Sequence, residues 1–379
     1  MSGKGTTRTG QRRAPWAAVV ATACGAAIAL AAPAAAGPVT AAVHRTGTST
    51  PTAYVVNATD TVTPIDTATS TAGPTIPVAH GPGAIAITPD GATAYVVGQS
   101  SVTAIDTTTN TVTATIRAGY EPKAIAITPD GATAYVANYG SGTVTPIHTA
   151  TNIAGRPIKV GGHPVVIAVT PNGKTVYVSG YGDAVTPIRT ATNKPLTPIS
   201  VAHYPIAIAI TPDGKTAYAV DEDAGSVTPI HTATNTAGKP ISVDGGPTAI
   251  AITPNGTTAY VLSVFTGIVT PVNTATNKPG RAIRIGQYAG ALGVDPNGKK
   301  VYVLDQINGT VTPINTVTNR AGKPISVVDP AGIAFTPDGA TAYVSDYNAG
   351  TVTPIDTATN TLGTPIPAGS DPQAIAMTP

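Results

Sequence analysis

A tyrosine followed by a small apolar residue recurs at Tyr54, Tyr95, Tyr135, Tyr177, Tyr218, Tyr260, Tyr302 and Tyr343, at spacings of 40 to 42 residues. Self-similarity at such a period marks one supersecondary unit that cannot bury its apolar face alone and must stack on copies of itself. The unit reads P-x-A-I-A-I-T-P-D-G-x-T-A-Y-V, then a variable loop, then T-V-T-P-I-D-T-A-T-N-x-x-G-x-P-I. Residues 124–158 form a nearly complete copy, and copies run from about residue 53 to 379.

Each copy holds four short β runs. Run a is Ala-Ile-Ala-Ile. Pro-Asp-Gly or Pro-Asn-Gly then turns the chain, as at Pro129-Asp130-Gly131, and Asx-Gly between two such runs is a strong hairpin signal. Run b carries the tyrosine, run c is Thr-Val-Thr-Pro-Ile, and run d is placed at Pro-Ile-x-Val. Four antiparallel strands in about 41 residues make one blade of a β-propeller. The first copy lacks run a, and the last is a lone run a, Gln373 to Pro379. Together they complete one blade, so the reading is all-β, with eight blades in a ring closed by N-terminal strands b, c and d against C-terminal strand a. Seven blades follow instead if an end fragment hangs free. Proline in run c of seven copies, with Ala104 the exception, predicts a repeated bulge or an unpaired position. A solenoid is the alternative stack, but its end repeats become atypical caps.

Composition agrees with strands. Only 11% of the chain is charged against 42% hydrophobic, which excludes a disordered chain. Gly follows no three-residue period, which excludes collagen. With two Phe and one Trp in 379 residues, the core must be built from small aliphatic layers.

Residues 1–36 read as a secretory signal. Lys4, Arg8, Arg12 and Arg13 precede an apolar stretch from Trp16 to Ala32, and Ala34-Ala35-Ala36 suits a signal peptidase. An uncleaved anchor is the alternative, because Trp16 to Ala36 is just long enough to span a bilayer. Residues 37–52 read as a linker and 53–379 as the propeller. The only cysteine, Cys24, falls in the signal, so the mature chain has no disulfide or thiolate site and, once the signal is cleaved, no membrane span. Removing the four basic residues takes the formal charge from +2 to −2, so the basic balance belongs to export and gives no case for a nucleic-acid partner.

Tyr135-Val136-Ala137-Asn138, then Thr143-Val144-Thr145-Pro146-Ile147 and Thr149-Ala150-Thr151-Asn152, resemble the YVTN β-propeller repeat family. The resemblance covers the propeller region and implies a secreted or cell-surface protein, surface-layer proteins included. Seven blades are usual in that family, so eight is a departure.

Comparison of the copies separates two faces. The a–b and c–d turns hardly vary, whereas the b–c and d–a loops differ from blade to blade. The six non-anchor tyrosines (Tyr120, Tyr139, Tyr181, Tyr204, Tyr288, Tyr347) all fall in these loops, with Phe265, Glu121, His163 and Asp183 beside them. These ten are the candidate binding residues, because aromatics bury large area at low entropic cost. The plainer reading is that loop tyrosines cover the ends of the core. Eleven acids, Asp244 among them, lie on or near that face and most basic residues opposite, a distribution that repels polyanions and attracts cationic or hydroxyl-rich ligands. Asp221-Glu222-Asp223 offers hard oxygen ligands for Ca²⁺ without the spacing of an EF-hand, and His80, His163 and His203 offer imidazoles to a transition metal. No further cofactor is expected. No G-x-S-x-G, phosphate loop, H-E-x-x-H or C-x-x-C-H occurs, so no catalytic residue is assigned. The expected function is a secreted cell-surface binding or scaffold module whose partner is a cell-envelope polysaccharide or a surface or secreted protein. A lactonase- or lyase-type enzyme at the channel mouth, using Glu121, His163 and Asp183, is the alternative.

Overall fold

The computed structural model describes residues 50–243 and 245–379. The signal, Cys24, most of the linker and Asp244 lie outside them. The described chain is all-β: eight antiparallel blades follow one another around a ring. Blade 1 is the composite, with strand a at Pro372–Met377, b at Thr52–Asn57 and c at Thr61–Asp66. The b strands of blades 2 to 8 are Thr93–Val97, Thr133–Asn138, Thr175–Tyr181, Thr216–Asp221, Thr258–Ser263, Lys300–Asp305 and Thr341–Asp346. Closure is antiparallel, with Val55 opposite Ile375. It is reinforced by Thr52 N–H donating to Thr378 Oγ1 at 2.8 Å and Thr378 N–H donating to Thr52 O at 3.0 Å.

Strands b and c are buried along nearly their whole length, because every blade is sandwiched between two others and neither sheet face meets water. The core is therefore a set of layers between blades. One of them packs Tyr54, Val56 and Val62 of blade 1 against Ala94, Val96 and Ile105 of blade 2.

The anchor tyrosine and the turn asparagine prove to be one device. Tyr135 OH donates to Asn193 Oδ1 of the next blade at 2.6 Å, and the same bond runs from Tyr54 to Asn110, Tyr95 to Asn152, Tyr177 to Asn235, Tyr218 to Asn277, Tyr260 to Asn319 and Tyr302 to Asn360. Tyr343 closes the circle on blade 1, where Ser70 stands in the asparagine position, by donating to Thr67 O at 3.3 Å. These asparagines hold φ between 51° and 59°, and Ser70 φ 53°, a left-handed conformation that asparagine tolerates better than most residues. In blades 2 to 8 the threonine that opens the c–d turn ties it to the a–b turn, as Thr149 Oγ1 does to Gly131 O at 2.5 Å. Gly131 sits at φ 71°, which fixes glycine there.

Strand d departs from the expected position. In blade 3 it is two fragments, Ile153–Ala154 and Ile158–Lys159, and only the second was expected. Thr145 and Pro146 face three residues, Gly155 to Pro157, between the paired positions. Proline offers no N–H toward strand d, yet its carbonyl accepts the Gly155 N–H at 2.7 Å. The same bond reaches Pro64, Pro187, Pro229, Pro271, Pro313 and Pro354. In blade 2, where Ala104 replaces proline, strand d is continuous over Thr111–Arg117, with a single bulge opposite Ala104 and Ile105. Of the two expectations for the proline of strand c, the unpaired position is what blade 3 shows, while the bulge of blade 2 falls where proline is missing.

A second bulge falls at the loop-face end of strand a in seven blades. In blade 3 it sets Pro122 opposite Asn138 and leaves Lys123 exposed. Bulges re-aim side chains at the rims of sheets, and this one shapes the face considered next.

Candidate functional site

The loop face is built from pairs of loops stitched by backbone bonds. The first residue after strand b donates to the d–a loop of its own blade: Tyr139 N–H to Glu121 O at 2.8 Å, Glu222 N–H to Tyr204 O at 3.1 Å, and Tyr347 N–H to Asp329 O at 3.0 Å. The residue at the place of Glu121 in the repeat is left-handed in most blades. Glu121, Tyr204, Asp329 and Asp371 have φ of 48° to 54°, and Tyr288 φ 71°, where blades 2 and 6 use Gly81 and Gly246. A bulky side chain there costs on the order of 1 kcal/mol, and three blades carry one, Glu121, Tyr204 and Tyr288.

Blades 3 to 5 bring the loop aromatics together. Tyr139 and Tyr181 lie 5.7 Å apart between ring centres at 81°, and Tyr181 and Tyr204 lie 5.5 Å apart at 74°. His163 leans on Tyr139 at 4.7 Å and His203 on Tyr204 at 5.8 Å. Edge-to-face contact suits the quadrupoles of adjacent rings and makes the row rigid. Lys123 Nζ stands 5.9 Å from the Tyr139 ring centre, a cation–π approach at one end. At the other end His203 Nδ1 meets Asp183 Oδ1 at 3.0 Å. His163 Nδ1 lies 3.1 Å from Tyr139 O and so donates to it. Tyr120, 60% exposed, covers Gly140 beside Tyr139, where no Cβ would fit.

The remaining candidates do not join this row. Phe265 lies over Gly246 in blade 6. Tyr288 is exposed at blade 7, and Tyr347 stands near Asp329 and Asp371, whose charges add to burial in raising its hydroxyl pKa. Between blades 7 and 8 a shallow hollow of about 480 Å³ is lined by residues including Ile307, Val328, Asn308 and Asp329.

The metal candidates do not assemble. Among the described residues no group of three or more His, Cys, Asp or Glu is placed to hold a metal ion. Asp221 turns inward, fully buried, and its Oδ2 accepts Thr228 Oγ1 at 2.6 Å and Ser226 Oγ at 3.2 Å. Burial pushes its carboxyl up to about 6 and also raises Glu222, where neighbouring Asp223 adds to the effect. His80 is tied to Asp60 at 2.7 Å, so each imidazole clips its own blade boundary. Nor does a hydrogen bond join Glu121, His163 and Asp183 among the described residues.

Lys123 was not a candidate, although its position was readable. The second residue of P-x-A is Gly83, Lys123, Val165, Ile206, Thr248, Gly290, Ala331 and Gln373 in the eight copies, so lysine is the single charge in that series. Asp346 is one of the eleven acids that the sequence places on or near the loop face. It is buried in the same slot of blade 8 as Asp221, with Oδ2 accepting Thr351 and Thr353 hydroxyls.

No protein-family model and no curated protein matches the chain. Solved structures do. A chain described as Kuenenia stuttgartiensis hydrazine synthase is similar at 27% identity and TM-score 0.60, over 72% of this chain and 95% of that one. The dihydro-heme d1 dehydrogenase NirN, in complex with DHE, is similar at 17% identity and TM-score 0.76, over 86% of this chain and 74% of that one. A functionally unknown protein from Desulfotomaculum acetoxidans matches at 17% identity and TM-score 0.62, over 86% and 98%. The two at 17% share the fold alone. With the ring of eight stitched blades, these likenesses make the chain an eight-bladed β-propeller.

Proposed function

We propose that the chain is a secreted, cell-surface binding or scaffold module of the YVTN-repeat kind, and that its loop face is the working surface. The partner is a cell-envelope polysaccharide or another surface or secreted protein. The observation that carries this reading is the aromatic row of blades 3 to 5: two loop tyrosines, Tyr139 and Tyr204, pack against Tyr181 at the end of strand b of the blade between them, on the one face where the copies differ. Left-handed Glu121 and Tyr204 support it, since glycine serves at that position elsewhere. The opposite face is accounted for by the Tyr–Asn and Thr–Gly bonds of the ring. The export reading rests on the sequence of residues 1–36.

The test is capture of cell-envelope polysaccharide and secreted proteins by residues 37–379, beside the variant Tyr139→Ala, Tyr181→Ala, Tyr204→Ala. Retention by the wild type and loss in the variant is the expected result. Equal retention by both would move the working surface elsewhere on the molecule.

A further inference from the structure

We infer that the row Tyr139, Tyr181, Tyr204 is a track for an uncharged polysaccharide chain lying across blades 3 to 5. This rests on the loop-face reading above and narrows its partner to one chemical class.

Shape is the first argument. The rings stand 5.7 and 5.5 Å apart, about one sugar unit per ring, in a strip one ring wide. Successive planes turn by 81° and 74°, so neighbouring rings of the row are not coplanar. A face offers the apolar side of a pyranose a surface of matching size, and the edges and hydroxyls beside it serve the sugar's polar rim. Folded protein partners need a broad patch, about 800 Å² a side, whereas an extended chain needs only a strip.

Charge is the second. Lys123 and Glu121 stand at one end, and Asp183 with His203 at the other. Both signs are present at the row, so it sets up no strong field to select a charged ligand. A polyanion would also meet the acids of the neighbouring loops, Glu222, Asp329 and Asp371 among them. Hydroxyl groups both donate and accept, and can use every one of these partners. His163 and His203 spend Nδ1 on Tyr139 O and Asp183, which fixes each ring and leaves Nε2 for an external hydroxyl.

Rigidity is the third. Edge-to-face packing, the His203–Asp183 pair and the left-handed backbone at Tyr204 hold the row before any ligand arrives, so little freedom is lost on binding.

The test is native electrophoresis of residues 37–379 through gels containing soluble neutral polysaccharides (β-glucan, mannan, galactomannan), with alginate as the polyanionic arm. The wild type is expected to be retarded in at least one neutral gel and not in alginate. Binding should weaken about tenfold or more in the triple alanine variant. It should be largely kept in Tyr139→Phe, Tyr181→Phe, Tyr204→Phe, which retains the rings and guards against a folding defect in the alanine protein. Two results overturn the inference alone: retardation only in alginate, or none in any gel while capture of envelope material still depends on the three tyrosines. The second would leave the loop-face reading standing with a partner other than a neutral polysaccharide. No retardation together with capture indifferent to the tyrosines would remove both.

Discussion

Single residues in the same slot of different blades set up an internal comparison. At the end of strand b, Asn57 and Asn138 send Nδ2 to pairs of strand-c threonine hydroxyls, Thr61 with Thr63 and Thr143 with Thr145. Asp221 and Asp346 occupy that slot in blades 5 and 8 with the direction reversed, the hydroxyls donating to one carboxylate oxygen. Their other oxygen is buried without a hydrogen-bond partner among the described residues. Burial lifts both carboxyls to about 6 against the hydroxyl bonds, which lower them. The native state thus binds these protons more tightly than the unfolded chain, whose aspartates titrate near pH 4. Stability should therefore rise as pH falls from about 6 to about 4, because above that window the buried charge is held at full cost. Asp130, Asp213 and Asp338 are lowered, chiefly by donation from Thr128, Thr211 and Thr336. Their contribution is present above pH 4 and is lost as pH drops below it. Melting followed across pH should peak near pH 4. Asp221→Asn with Asp346→Asn should raise stability at pH 7 by on the order of 1–3 kcal/mol and flatten the limb between pH 4 and 6. A melting temperature that falls steadily from pH 7 to 5, unchanged by the substitutions, would show that these carboxylates are not stressed by burial.

Within each blade the outer strand is the element that the proline of strand c reshapes. Proline in strand c leaves strand d without a donor at its middle, and the strand divides. Ala104 restores that donor, and Thr111–Arg117 runs unbroken. Hydrogen exchange should accordingly be slower across Thr111–Arg117 than across 153–159. Ala104→Pro should bring the first segment to the rate of the second and cost about 1–3 kcal/mol. Mass-resolved exchange on peptides from the two segments measures this, and equal rates in the wild type would show that the division of strand d does not govern its protection. The sequence carried the cause, proline in seven copies of eight. It did not carry the first fragment of d, because two residues show no period for a pattern to detect.

For the whole molecule, the closing strand is the point of greatest leverage. Ile375 belongs to the layer that packs Ala53, Val55 and Ile65 of its own blade against Tyr343 and Val352 of blade 8, and its neighbour Ala374 to the layer against blade 2, so the closing strand serves two inter-blade layers. Ile375→Ala should cost about 2–5 kcal/mol. Deleting Pro372–Pro379 bares the edge of Thr52–Asn57 and should abolish the single cooperative transition in calorimetry. An unchanged transition after the deletion would mean that the other blades hold the ring without this strand.

The repeat, the four strands of a blade, the count of eight and the constancy of one face were all legible in the sequence, because each depends on spacing and on residue types that recur. The partnership of anchor tyrosine and turn asparagine was hidden. Tyr135 and Asn193 are 58 residues apart, and only the stacking of one blade on the next makes them neighbours. For the loop face, the sequence could place ten candidates on one side but could not say which of them meet. Tyr139, Tyr181 and Tyr204 form a row, while Phe265, Tyr288 and Tyr347 stand apart from it. Asp221 sits in a strand and turns inward, away from the exposed acidic loop its neighbours suggested. Periodicity is a one-dimensional property that a chain carries along its length. Which loops touch depends on the angle between neighbouring blades and on the bulges at their rims, and these exist only once the ring has closed.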